Sequence, residues 1–275
     1  MIKASKYGLI ILLLFSYTRA RSQENFPTES VFKKPSTATW FNSYWNMRFS
    51  EKFFWAAEVH YRMSETPNMP FVGRVAQLYN RHGVKYMFSK KLNITAGFVV
   101  RMNFNPEPGN DAFETMVLEP RLWHEYLFGM PFQYSGVDFV AYHRLRFEHR
   151  WSRSNKKGAE YIYRNRYRYK FMLKVPLNQK KLTPGAIYFN PDVELILHSG
   201  KTIVANPVED LRIYPNFGYI FSPRFSGSMG MMYNTGQADM FGYSYRQNWI
   251  WKFNIYVSID ARKFEQKIPE INYED

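Results

Sequence analysis

Charged side chains recur at alternate positions through the middle of the chain. Glu119, Arg121 and Glu125 form one group, Arg144, Arg146, Glu148 and Arg150 a second, and Arg164, Arg166, Arg168 and Lys170 a third. Asp192 with Glu194, and Asp210 with Arg212, complete the set. Guanidinium groups fork onto carboxylates, and they hold other anions in the same way. If these stretches are consecutive antiparallel strands, their side chains lie opposite one another and unlike charges attract across each pair. The nine basic residues exceed the six acidic ones by three. Two roles follow. The set can be a structural network that fills a narrow lumen, each charge paired because a lone buried one is costly. It can also be a basic constriction in a water-filled pore, favouring small anionic solutes. A lumen of about twelve strands can largely be filled by side chains, which favours the network.

Other chemistry has little support. The six histidines (His60, His82, His124, His143, His149 and His198) are scattered, with no HExxH spacing, and there is no cysteine, so no metal site or cofactor is expected. His143 and His149 share the parity of the apolar residues around them. His198-Ser199 alone invites a nucleophile reading, that of a lipid-modifying hydrolase on a barrel wall. The longer motif around His and Ser that outer-membrane phospholipase A carries is missing, and a solvated strand end accounts better for the pair. Arg-Tyr interleaving at 161–170 imitates a nucleic-acid surface, but a period of two sends Arg and Tyr to opposite faces, so no nucleic-acid partner is expected.

The elements that must position the ladder follow from composition and period. The 275 residues carry a net charge of +14 and no cysteine, which excludes disulfide scaffolds. There are 24 Phe, 21 Tyr and 7 Trp, 19% of the chain, yet the mean hydropathy is −0.45, a combination foreign to disordered polymers and to helical membrane proteins. Residues 1–22 have the order of a secretory signal peptide: basic Lys3 and Lys6, apolar Leu9 to Phe15, then Ala20-Arg21-Ser22. Removing Lys3, Lys6, Arg19 and Arg21 with that segment lowers the charge from +14 to +10. Export across the inner membrane is therefore expected.

Beyond it the pattern is alternation. Trp249, Trp251, Phe253, Ile255, Val257 and Ile259 interleave with Lys252, Asn254, Tyr256 and Ser258, with Ile250 the exception. Phe53, Trp55, Ala57, Val59, Tyr61 and Met63 interleave with Glu58, His60 and Arg62. A period of two predicts strands, and eleven are expected between residues 37 and 259. Short turns at 50–52, 89–91 and 222–224 alternate with longer loops near 65–71, 105–113, 152–160, 199–208 and 235–243. That asymmetry marks a transmembrane up-and-down antiparallel β-barrel of about twelve strands, between ten and fourteen, with aromatic residues at the membrane interfaces. Even strand counts are the bacterial rule, so residues 24–34 are the candidate for a twelfth strand. Pro120, Pro191 and Pro215 fall inside predicted strands and should mark bulges or strand ends. A soluble periplasmic β-barrel binding module is the competing architecture, and it would turn its apolar face inward.

The runs Tyr142-His143-Arg144-Leu145-Arg146-Phe147-Glu148-His149-Arg150 and Tyr163-Arg164-Asn165-Arg166-Tyr167-Arg168-Tyr169, with Val193-Glu194-Leu195 and Asp210-Leu211-Arg212-Ile213-Tyr214, resemble the family catalogued as domain of unknown function 2490. Its members are exported proteins common in Bacteroidetes-like Gram-negative bacteria. The resemblance spans about 37–260 and implies an outer-membrane barrel, with outer-membrane lipid around it and the barrel-assembly machinery as partner during biogenesis. It brings no catalytic residues. The expected organisation is a signal peptide at 1–22, an N-terminal segment or short strand at 23–36, a barrel at 37–260 and a polar tail at 261–275. A non-enzymatic barrel is the expected role.

Overall fold

The computed structural model describes residues 31–107, 109–203, 206–238 and 244–262. The expected signal peptide at 1–22, most of the 23–36 segment and nearly all of the tail lie outside those residues. The described chain is all β. Its first strands are β1 (Val31–Phe32), β2 (Ser36–Arg48), β3 (Phe53–Thr66), β4 (Met69–Ser89), β5 (Leu92–Phe104) and β6 (Met116–Tyr134). There follow β7 (Val137–Ser152), β8 (Ile162–Pro176), β9 (Ile187–Ser199), β10 (Val208–Ser222), β11 (Phe225–Gln237) and β12 (Ser244–Asp260).

Strands β2 to β12 pair in chain order, each antiparallel to the next, and β12 pairs with β2 to close the sheet. This makes an eleven-stranded closed barrel with one short extra strand. An odd number of alternating strands leaves the first and last pointing the same way, so the closing seam must be parallel. It runs in continuous register from Asn248↔Ser36 to Asp260↔Arg48. Of the predicted twelfth strand at 24–34 only residues 31–34 are described, and among them β1, two residues, lies parallel against Ser244 and Tyr245. Closure thus rests on β2.

The turns alternate in part as expected; the exception at the tight-turn end is the long connection 177–186 between β8 and β9. Ser135 and Gly136 form a two-residue hairpin with φ of 50° and 77°, the left-handed pair of a type I′ turn. The loop predicted at 65–71 is a tight turn, because β3 and β4 extend to Thr66 and Met69. Register shifts at Met63 and Ser64 absorb the mismatch.

The prolines interrupt ladders without bulges at their positions. The β8–β9 ladder passes from Met172↔Asp192 to Val175↔Phe189 in unchanged register, skipping Pro191. The β10–β11 ladder likewise passes from Ile213↔Tyr233 to Asn216↔Gly230, skipping Pro215. Pro120 pairs with Val100 on one side, while the ladder to β7 begins one residue later, at Arg121↔Arg150. Each ring nitrogen lacks the one donor that a neighbouring strand would use, and the other neighbour holds the register.

Polarity is inside out. Every barrel strand exposes large apolar side chains on the outer surface, among them Phe41, Phe98 (50% exposed), Leu122, Tyr169, Phe217 (55%) and Ile255. The alternate residues are buried in the lumen and are mostly charged or amide-bearing. Three small apolar clusters interrupt them: Tyr79-Val99-Trp123, Leu127-Tyr142-Met172 and Tyr214-Met232-Ile250. Ile250, the exception to alternation in β12, belongs to the third.

Candidate functional site: an ion-pair plug in the barrel lumen

All fifteen residues of the predicted ladder lie on the lumen side of β6 to β10. Their partners differ in part from the expected ones. On β7 and β8 the residues directly opposite are like-charged: Arg150↔Arg164, Arg146↔Arg168 and Arg144↔Lys170. Only Glu148↔Arg166 sets unlike charges face to face there. Neutralisation comes from directly opposite residues on the other flanking strands, Glu125↔Arg146 and Glu194↔Arg212, and from diagonal neighbours and across the lumen, which the long arginine side chains can span.

Glu148 is the hub and is wholly buried. Arg121 donates to its Oε2 at 2.7 Å, and Arg81 and Arg168 donate to its Oε1 at 2.9 and 3.0 Å. Arg166 stands 3.6 Å away as a fourth cation. Glu194 is a second hub, accepting from Arg144 at 2.7 Å and from both ends of Arg168 at 2.9–3.0 Å. Arg212 adds a contact at 3.3 Å. Glu58 on β3 takes Arg146 from β7 at 2.9 Å, and Arg146 also donates to Glu125. Lys170 pairs with Asp192 at 2.8 Å. Buried charges gathered this way satisfy one another, while removing any one strands its partners.

Rings fill the remaining gaps. The Trp123 ring packs against the guanidinium groups of Arg81 and Arg146, 4.8 and 5.0 Å from its centre. Arg62 stacks on Trp40 at 3.6 Å and on Tyr79 at 4.3 Å. Cation–π contacts of this kind hold the planar groups without consuming their hydrogen-bond donors. Within the plug, two cavities of about 50 Å³ each leave room for a few waters.

Above the plug the lumen widens. At the end carrying the long loops, a cavity of about 620 Å³ is lined by Arg62, Arg74, Arg150, Arg164, Glu209 and Asp210 among others. Glu209 is held by Arg166, bidentate, and by Arg150 at 3.4 Å. Asp210 is held by Arg212 at 2.8 Å and Arg246 at 2.5 Å. Outside the strands, Arg153 donates twice to Glu114 at 2.6 and 2.7 Å, tying the β5–β6 loop to the end of β7. The Arg153 guanidinium holds the Glu114 carboxyl below the usual carboxylate range.

Sequence reasoning missed Glu58, Arg81, Arg101, Glu209 and Arg246 as members of the network. Glu58, Arg81, Arg101 and Arg246 sit at the inward parity of their strands, and that parity was the signal available; Glu209 has the opposite parity to Asp210 and Arg212 and lies at a register shift between Val208 and Asp210, which no alternation announces. The predicted pair His198-Ser199 is divided. His198 is buried in the lumen near Glu209, at 3.9 Å, whereas Ser199 faces outward beside the Tyr167 hydroxyl at 3.2 Å. Adjacent strand residues point to opposite faces, so the two side chains cannot share a substrate. His143 and His149 lie on the outer face, hydrogen-bonded to Tyr169 and Tyr163 at 2.7 and 3.0 Å. Among the described residues, no cluster of three His, Asp or Glu could hold a metal ion.

A family model described as "Protein of unknown function (DUF2490)" matches residues 37–243. No curated protein and no solved structure matches the chain.

Proposed function

The chain belongs to the DUF2490 family, and from that premise we propose that it is a non-enzymatic outer-membrane barrel whose lumen is closed by its own ion pairs. One observation carries the reading: apolar side chains line the outside of every barrel strand, and the charged groups are buried inside. Water would penalise that arrangement over the whole outer surface, and a soluble barrel inverts it. A hydrocarbon surround favours it, and closure satisfies every strand edge, as a bilayer requires. The order of residue types in 1–22 supports export.

The plug separates a structural barrel from a pore. Cavities of about 50 Å³ among the paired charges support a lumen filled by side chains. The test is planar-bilayer conductance of the refolded full chain, with heat-modifiable gel migration as evidence that the barrel has formed. Folded protein giving no discrete steps supports the closed lumen. Anion-selective steps that weaken in Arg146→Ala would make it a pore. Fractionation of the native cell tests location, and recovery of the chain with soluble periplasmic protein would refute the membrane assignment.

A further inference from the structure

We infer that the cavity at the long-loop end is a binding site for a small polyanionic solute, one carrying at least two phosphate or sulfate groups. The inference needs only the barrel geometry, and it stands whether or not the plug below conducts.

Charge is the first ground. Eight arginines and three carboxylates line this cavity. The carboxylates are already taken: Glu119 pairs with Arg101 and Arg121, Glu209 with Arg166 and Arg150, and Asp210 with Arg212 and Arg246. Arg62, Arg74 and Arg164 have no carboxylate partner among the described residues. Arg62 is held only by neutral groups, Gln77 at 3.4 Å and the Tyr79 hydroxyl at 3.2 Å, and by the Trp40 ring.

Donor geometry is the second. Arg74 Nη1 and Arg164 Nε are buried without a hydrogen-bond partner, and so is Arg62 Nε. Buried guanidinium donors left unpaired are costly, and because the same three guanidinium-bearing side chains line the cavity, an oxyanion there can accept charge-assisted bonds from them. Three such residues on β3, β4 and β8 surround one space, so a ligand with separated anionic groups can engage more than one.

Size and surround are the third. A volume of about 620 Å³ falls in the range of small-molecule sites, and its walls are predominantly polar. The space lies inside the strand wall, so a solute reaches it while a lipid headgroup outside the wall does not.

Isothermal titration calorimetry of the refolded full chain with inorganic pyrophosphate and with tripolyphosphate tests the proposal. The expected result is saturable one-to-one binding, tighter for tripolyphosphate, that weakens about tenfold for each of Arg74→Gln and Arg164→Gln. Lys90→Gln/Lys91→Gln, at the opposite end, should leave affinity unchanged. A thermal melt of the unliganded variants guards against misfolding. Because Arg74 and Arg164 have no carboxylate to strand, their loss should leave the melting temperature unchanged or raise it, and only the ligand-induced rise should shrink. No saturable heat with either polyphosphate, or equal affinity in the Arg74→Gln/Arg164→Gln double variant, would overturn the assignment. So would a large drop in unliganded stability in those variants, which would make the two arginines structural.

Discussion

Arg81 on β4 and Glu148 on β7 meet across the barrel lumen, Nη2 to Oε1 at 2.9 Å, although 67 residues separate them and their strands are not neighbours. Glu148 is completely buried, so three further arginines depend on the same carboxylate.

Replacing that carboxylate tests the plug. Glu148→Gln leaves Arg81, Arg121, Arg166 and Arg168 facing a neutral amide in a closed space. A loss of about 3–5 kcal/mol is expected, the range for breaking a buried pair from one side. Denaturant unfolding of the refolded barrel should show a lower midpoint. Conversion of the whole cluster to matched apolar residues should cost less than the single change.

The parallel seam can be checked by cross-linking, because the native chain has no cysteine to interfere. Ser43 on β2 and Ile255 on β12 are register partners on the outer face. Ser43→Cys with Ile255→Cys should join through a short bifunctional thiol reagent, giving a circularised chain of altered gel mobility. Ser43→Cys with Ile259→Cys, four residues out of register, should not. Equal yields for both would refute the register.

Gly218 pairs with Tyr188 between β10 and β9, and a Cβ at Gly218 would overlap the Tyr188 ring. That ring is fully buried. Gly218→Ala should therefore displace it and destabilise the barrel by about 1–3 kcal/mol, as overpacking does. Pairing it with Tyr188→Leu should recover part of the loss in a double-mutant cycle.

The Glu114–Arg153 tie predicts a pH dependence outside the strands. Arg153 depresses the Glu114 carboxyl in the folded state, so the tie is present above the ordinary Glu value of about 4.3 and is lost as pH falls through the depressed value. Amide protection factors in the loop around Glu114, corrected for the intrinsic pH dependence of exchange, should fall on acidification through the depressed carboxylate range. In Glu114→Gln that local response should vanish, with exchange already fast at neutral pH.

Much of the architecture is legible from the period of two. Alternation locates the barrel strands, and the strict parity of 161–175 assigns Arg166 and Arg168 to one face and Tyr167 and Tyr169 to the other, as found. Parity alone leaves open which face is inside, and the structure turns the charges inward. The pairing within the network was legible only in part. Strand adjacency gives Arg146 its partner Glu125, directly opposite on β6, but on β8 it sets Arg168 opposite, and the second partner, Glu58, lies across the lumen on β3. The distance from β3 to β7 across the lumen depends on how the sheet curves shut, which no local pattern encodes. Counting strands could have revealed the seam, since eleven alternating strands can close only in parallel. The expectation of an even number concealed it.

The odd strand count also fixes where the polypeptide enters and leaves the cylinder. Strand β2 starts at the rim bearing the long loops, and β12 finishes at the rim bearing the tight turns. A barrel with an even count returns its chain to the rim where it began. Here a tag fused ahead of Ser36 and another fused after Asp260 would sit at opposite mouths, and in a bilayer they would face different compartments. The outer ends of the first and last barrel strands thus open on separate mouths of one cylinder.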